Sequence, residues 1–252
     1  MKNQYFSDRR DFFKYDFLLA LMEGVPGLRR FLFVPMLTPD DGSTDGKLTN
    51  YMAGEHPRRR DLWDFLQGCL KRGERDIRAL RRHMKGKPFE YIPWSDDAFF
   101  THAGREAHFA KIPASALRQS LVFFDPDNGF EVPSMTAGNG AKYLRYPELA
   151  GVFSRMDDAS VVVVYQHIPR KNRDDFFAET SGKVRKSLSA QEIFVVSDNT
   201  IAFFVIPKSP GTANEVRPVL ASYAHEHELR FWEAGGGGVS GIVDVVSRLM
   251  GR

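Results

Sequence analysis

The sequence predicts an α/β fold, a three-layer sandwich with a mostly parallel central sheet and an antiparallel C-terminal hairpin. Three observations predict it. Short apolar runs with strand character recur at residues 30–37, 121–124 and 161–165, each closed by a polar cluster. Stretches of helical length and patterning lie between them, the alternation that builds parallel sheets. Two β-rich runs, 193–196 and 201–206, flank Ser197-Asp198-Asn199-Thr200, a hairpin expected to form the antiparallel edge of the sheet.

Taken in order, residues 8–23 carry Phe12, Phe13, Phe17, Leu18 and Leu21 at helical spacing, and Gly24 with Pro26 ends that helix. The run 30–37 is a buried strand entering Thr38-Pro39-Asp40-Asp41-Gly42. Residues 58–85 read as helical and 89–92 as a brief strand. The runs 121–124 and 161–165 are the clearest buried strands; 147–156, 174–188 and 215–230 are helices. Gly235 to Gly238 is a flexible spacer before an apolar stretch at 242–250. Residues 1–230 are therefore expected to form one catalytic α/β domain, with 231–252 a spacer and tail.

Composition narrows the class. A chain of 252 residues, 42% hydrophobic and 27% charged, has ample apolar content for a core, which excludes disorder as its main state. No run approaches the ~18 to 20 apolar residues of a membrane span. Met1-Lys2-Asn3-Gln4 leads directly into charged residues, so a soluble cytoplasmic protein without a leader, and without a membrane partner, is expected. The single cysteine, Cys69, excludes an internal disulfide and a multi-cysteine zinc site. The net charge of +3 averages unlike regions: residues 58–87 hold 11 Lys/Arg against 4 Asp/Glu, and the rest of the chain is net −4. Such a band suits a polyanion, with Arg58, Arg59, Arg60 and the later Arg170 as expected DNA contacts. A solvated helix face would equally space Arg75, Arg78, Arg81 and Arg82 by three and four.

Ligands of open α/β sheets sit beyond the carboxyl ends of the strands. Three such ends are polar here: Thr38 to Gly42, Asp125-Pro126-Asp127-Asn128-Gly129, and Gln166-His167-Ile168-Pro169-Arg170. Turns use the same residue types, but three at successive strands point to a cleft. Asp40, Asp41, Asp125 and Asp127 are candidates to activate water or steady a cationic, sugar-like transition state. His167 is placed to favour a leaving group or shuttle a proton. Asn128 and Gln166 offer donor–acceptor pairs to a base edge. The same aspartates would also suit Mg²⁺ or Mn²⁺ in phosphodiester cleavage. Asp8, Asp11 and Lys14 share one helical stripe, which serves either a surface ion pair or a substrate site. Lys142-Tyr143, after Ala137-Gly138-Asn139-Gly140, is placed to close over a phosphate or a stacked base.

Asn3-Gln4-Tyr5-Phe6 with Asp8, Asp11, Lys14 and Tyr15 resembles the opening of a prokaryotic family of mostly hypothetical proteins. The Thr-Pro-Asp-Asp-Gly loop, Phe-Phe-Asp-Pro-Asp-Asn-Gly, Lys142-Tyr143 and Tyr-Gln-His extend the similarity over residues 3–206. This resemblance implies kinship with anti-phage DNA glycosylases that excise glucosylated hydroxymethylcytosine. More remotely, Phe31 to Val34 with its Pro/Asp/Gly loop, and Val161 to His167 with Pro169, are similar to uracil-DNA glycosylases. That similarity implies Asp40 or Asp41 as water activator or sugar stabiliser and His167 beside the departing base. Asp125-Pro126 also resembles the start of the Asp-Pro-Pro-Tyr motif of adenine-N6 methyltransferases. Here Asp127 and Asn128 replace the second proline and the aromatic, and no Gly-x-Gly for S-adenosylmethionine follows the first strand.

The resulting expectation is hydrolytic removal of a modified base flipped out of double-stranded DNA, without metal or organic cofactor. Methyl transfer is the second reading, metal-dependent cleavage the third, and a non-enzymatic DNA-binding protein the fourth.

Overall fold

The computed structural model describes residues 1–42, 46–49 and 59–234. Its helices are α1 (Arg9–Gly24), α2 (Arg60–Lys71), α3 (Leu80–Met84), α4 (Arg105–Ala110), α5 (Tyr146–Phe153), α6 (Arg173–Leu188) and α7 (Pro210–Glu226). Its strands are β1 (Arg30–Val34), β2 (Glu90–Pro93), β3 (Ser120–Phe124), β4 (Gly129–Phe130), β5 (Tyr143–Leu144), β6 (Val161–His167), β7 (Phe194–Ser197), β8 (Ile201–Pro207) and β9 (Arg230–Glu233). Seven strands form one mixed sheet in the order β2-β1-β3-β6-β8-β7-β9, and β4 pairs β5 in a separate ribbon. The first four are mutually parallel, whereas β8, β7 and β9 join by antiparallel pairing.

Apolar residues on both faces explain the parallel half. Phe31 to Val34 and Val161 to Val164 are fully buried, as strands covered on both sides must be. Their side chains alternate between two apolar clusters. Phe31 and Phe33 join residues of α1, α2, α3 and α7, while Leu32 and Val34 join residues of α4, α5 and α6. In register, Phe33 lies beside Phe123 with ring centroids 5.7 Å apart and planes nearly parallel.

The structure departs from the sequence expectations at four places. The helical region at 58–85 is two helices, because the chain turns at Gly73 (φ 65°) and restarts through a 3-10 turn. The predicted hairpin forms, but β8 pairs with β6 in the interior, and β9, an element the sequence did not reveal, takes the edge. The last helix starts earlier than expected. Ser209 caps it, its Oγ accepting the Thr212 N–H at 3.2 Å, and Pro210 occupies the first turn. It ends at Glu226, so residues read as its last turn lead into β9, past the domain limit expected at 230. Arg58, the Gly235–Gly238 spacer and the apolar tail lie outside the described residues. No helix among the described residues is long and apolar enough to cross a membrane.

Candidate functional site

The pocket that matters lies where the parallel strands end. A pocket of about 360 Å³ is lined by Asp8, Arg10, Asp11 and Lys14 of the α1 region, by Asp125 to Asn128 after β3, and by Tyr165 and His167 of β6, with Met1, Tyr5 and Gly46 completing it.

Helix α1 brings its polar stripe here because its other side is aromatic. Phe13 and Phe17 pack on Phe203, with centroids 5.3 and 4.6 Å away, and the Tyr223 hydroxyl donates to Asp16 at 2.7 Å. Anchored that way, the helix turns Asp8, Asp11 and Lys14 toward β3. Asp8 is the N-cap, accepting the Asp11 N–H at 3.0 Å.

Lys14 is the centre of the buried wall. Its Nζ donates to Asp11 at 2.9 Å and to Asp125 at 2.7 Å, and all three residues are nearly inaccessible to solvent. Burial opposes the ammonium charge, but the two carboxylates overcome it and hold the Lys14 pKa above its ordinary value. One ammonium does not compensate two carboxylates. Burial therefore raises the pKa values of Asp11 and Asp125 despite the Lys14 contact. Asp8 is shifted the same way, burial outweighing its cap bond to the Asp11 N–H.

Asp127 differs. Its carboxylate lies 2.5 Å from the Met1 amino group and accepts the Thr38 hydroxyl at 2.7 Å. Burial would raise its pKa, but the Met1 charge and these bonds overcome that and lower it. The wall thus holds carboxylates pushed in opposite directions. His167 closes the far side, its Nε2 3.2 Å from the Tyr165 hydroxyl. Burial, reinforced by the positive charges of Arg10 and Lys14, lowers its pKa to about 4, so the ring is neutral at physiological pH.

The sequence expectations separate accordingly. Asp125, Asp127, Asn128, His167, Asp8 and Lys14 meet in the pocket. Asp40 and Asp41 do not line it. Asp40 accepts the Gln4 N–H at 3.0 Å and Asp41 pairs with Lys2 at 2.5 Å, so both fasten the N-terminal segment. Gln166 is not a free base-reading amide. Its Oε1 accepts the Phe130 N–H at 2.8 Å, and its Nε2 donates to the carbonyls of Asn128 (3.0 Å) and His167 (2.6 Å). It clamps the loop after β3, which Gly129 enters at φ 115°. Lys142 and Tyr143 grip the same loop from outside through backbone contacts. The Asn128 N–H donates to Lys142 at 2.9 Å, and Tyr143 pairs with Gly129. Buried Arg105 pins that segment, donating to the carbonyls of Gly140 and Tyr143, both at 2.8 Å.

Charge pairing also recasts the basic band. Arg59 forks onto Glu23 at 2.8 and 3.0 Å and reaches Asp16 at 3.1 Å, tying α2 to α1. Arg60 pairs with Asp64 one helical turn away at 3.0 Å. Arg72 and Arg82 share Glu74, Arg78 meets Asp76, Arg81 meets Asp96, and Lys87 meets Asp61. Seven of the band's cations thus pair with carboxylates, but only Asp16, Glu23 and Asp96 lie outside it, so the band keeps a net positive charge. Arg170 is exposed, just beyond His167.

Arg10 and Tyr165 line the pocket although sequence reading did not single them out. Tyr165 sat inside a strand read as core, and Arg10 is one of two adjacent arginines with no motif around it. No family model matches the chain, and no match was found among curated proteins or solved structures.

The resemblance to methyltransferases would place S-adenosylmethionine at the carboxyl ends of β1 and β3. Met1 lies at those strand ends, its amino group donating to the Asp125 carbonyl at 3.2 Å and its carbonyl accepting the Thr38 N–H at 2.8 Å.

Proposed function

We propose that this protein hydrolyses a glycosidic bond, removing a modified base that enters the pocket from DNA. The observation that supports this reading is the opposed behaviour of Asp8 and Asp127 around one small polar pocket, built on an α/β scaffold that we read as three-layered. The volume lies within the ~300 to 1,000 Å³ typical of small-ligand sites.

Asp8, shifted upward, holds a proton longer than an ordinary aspartic acid and serves as general acid toward the departing base. Asp127, shifted downward, stays ionised and stabilises the oxocarbenium-like sugar while orienting water. As the C–N bond breaks, its electron pair passes to the base nitrogen, which takes the Asp8 proton. Water adds to the sugar carbon and gives its proton to Asp127. Solvent exchange then restores both carboxyls. Neutral His167 offers a hydrogen bond to the base, and Lys14 keeps the carboxylate wall from becoming too negative to admit a polyanion.

The test incubates duplex DNA carrying glucosylated hydroxymethylcytosine, and unmodified duplex, with the protein and then with alkali. Strand breaks confined to modified duplex, abolished by Asp127→Asn, are expected; intact strands would overturn the reading. Methyl transfer takes second place. The β7–β8 hairpin suits it, the lack of a Gly-x-Gly after the first strand weighs against it, and labelled S-adenosylmethionine would detect it.

A further inference from the structure

We propose that Arg10 forms an anion subsite at the edge of this pocket that holds the phosphate of a nucleotide. The inference rests on the nucleoside-binding reading above and specifies its ligand further.

Charge accounting within the pocket singles out this residue. Of the lining cations, Lys14 is committed to Asp11 and Asp125, and the Met1 amino group to Asp127. Arg10 lines the same pocket, half-buried, and makes no ion pair or side-chain hydrogen bond among the described residues. Arg59 and Lys2, also near α1, have two acidic partners and one; Arg9 has no side-chain partner among the described residues either, but it is exposed and does not line the pocket.

Its position on the helix points the same way. Arg10 lies in the first turn of α1, where the helix dipole disfavours a cation. Within the protein the guanidinium is drawn to the Asp8 charge but makes no side-chain hydrogen bond among the described residues. A phosphate uses those donors. It pairs with the guanidinium through two parallel hydrogen bonds and favours the positive end of the helix. Neutral His167 adds a hydrogen-bonding group on the same lining without competing for the negative charge.

In this proposal the pocket's carboxylates take the hydroxyl and amino groups of a nucleoside, and Arg10 takes its phosphate. A free nucleotide and a nucleotide within a strand share this chemistry, and the experiment separates them.

Isothermal titration would compare the four deoxynucleosides, their 5′-monophosphates and a short single-stranded oligonucleotide on wild-type protein, Arg10→Gln and Arg10→Lys. Circular dichroism melts would confirm that the variants fold. We expect phosphate-bearing ligands to bind wild type at least tenfold tighter than nucleosides. Arg10→Gln should erase that advantage, Arg10→Lys should keep part of it, and nucleoside affinity should not move. Preference for the oligonucleotide would identify the strand as the phosphate source, and preference for the monophosphate a free nucleotide. Equal effects of Arg10→Gln on ligands with and without phosphate, or no binding of any phosphate-bearing probe, would overturn the proposal. Arg10-dependent nucleotide binding with no base released from DNA would keep this subsite and remove the glycosidic reading.

Discussion

Lys14 Nζ donates to Asp125 at 2.7 Å across 111 positions of sequence, both side chains almost wholly buried. This bond joins the first helix to the loop after β3, and it makes the site and the fold interdependent. Removing Lys14 strands two carboxylates in the interior. Lys14→Met should cost about 3–5 kcal/mol, read as a lower urea midpoint. Adding Asp125→Asn should return part of that loss, because the double variant buries one charge fewer. Strictly additive losses would show that the two groups do not share an ion pair.

Asp8 has two duties that one substitution separates. Asparagine caps a helix about as well as aspartate, but it has no carboxyl proton to give. Asp8→Asn should therefore change stability by less than about 0.5 kcal/mol and lower base release by a factor of about 10² or more. Wild-type activity should also decline as pH rises through the elevated Asp8 pKa. Full activity in Asp8→Asn would remove this residue from the chemistry.

Acid should weaken the fold through its histidines. Burial first, and nearby positive charge in two cases, lowers His83, His108 and His167 to about 4, against an unfolded value near 6.5. Between those values the unfolded chain binds more protons, so stability falls as pH drops from 6.5 toward 4. Each ring should cost about 2 kcal/mol by pH 5. The raised pKa values of Asp8, Asp11 and Asp125 act in the opposite sense, giving relief on acidification. His108 stacks edge-on against Phe100 and Phe109 at about 5 Å, so His108→Phe should fold and flatten the slope. An unchanged slope in denaturant titrations at pH 7 and 5 would contradict this.

The loop after β3 tolerates no side chain at Gly129. A Cβ there would stand 2.1 Å from Gln166 Oε1, on a backbone at φ 115°. Gly129→Ala should lower the melting temperature and ligand affinity together. Gln166→Ala should leave the loop able to form but loosen it, with affinity falling more than stability.

Arg59 should behave as a brace. Arg59→Ala is expected to cost about 1–2 kcal/mol through lost contacts to Asp16 and Glu23, with DNA affinity unchanged in a salt titration. A reduced salt slope at unchanged stability would instead make it a phosphate contact.

Periodicity and local apolar runs made α1, β1, β3, β6 and the β7–β8 hairpin legible in the sequence, because those signals are local. What eluded it depends on distant partners. β9 is recognisable only once β7 offers an unpaired edge, and short α4 only once Arg105 finds Glu148 and the carbonyls of Gly140 and Tyr143. In the candidate site, Asp125, Asp127 and His167 were legible as polar groups at the ends of buried strands. Asp40 and Asp41 had that same local signature, yet Gln4 and Lys2 engage them outside the pocket. Gln166 likewise looked free until its three backbone partners were in place. Spacing on one helix showed the Asp8, Asp11 and Lys14 stripe, but not what it would face.

The aromatic seam between α1 and the late strands has a consequence for biogenesis. Phe17 rests on Phe203, and Asp16 accepts from Tyr223, 207 positions away. A growing chain makes α1 some two hundred residues before the segment that seats it. Until the segment around Tyr223 has left the ribosome, the carboxylate stripe has no fixed orientation and Lys14 no enforced partner. Contacts of such long sequence separation slow folding, so the chain should gain its pocket late, and fragments lacking α7 should keep secondary structure while losing the site.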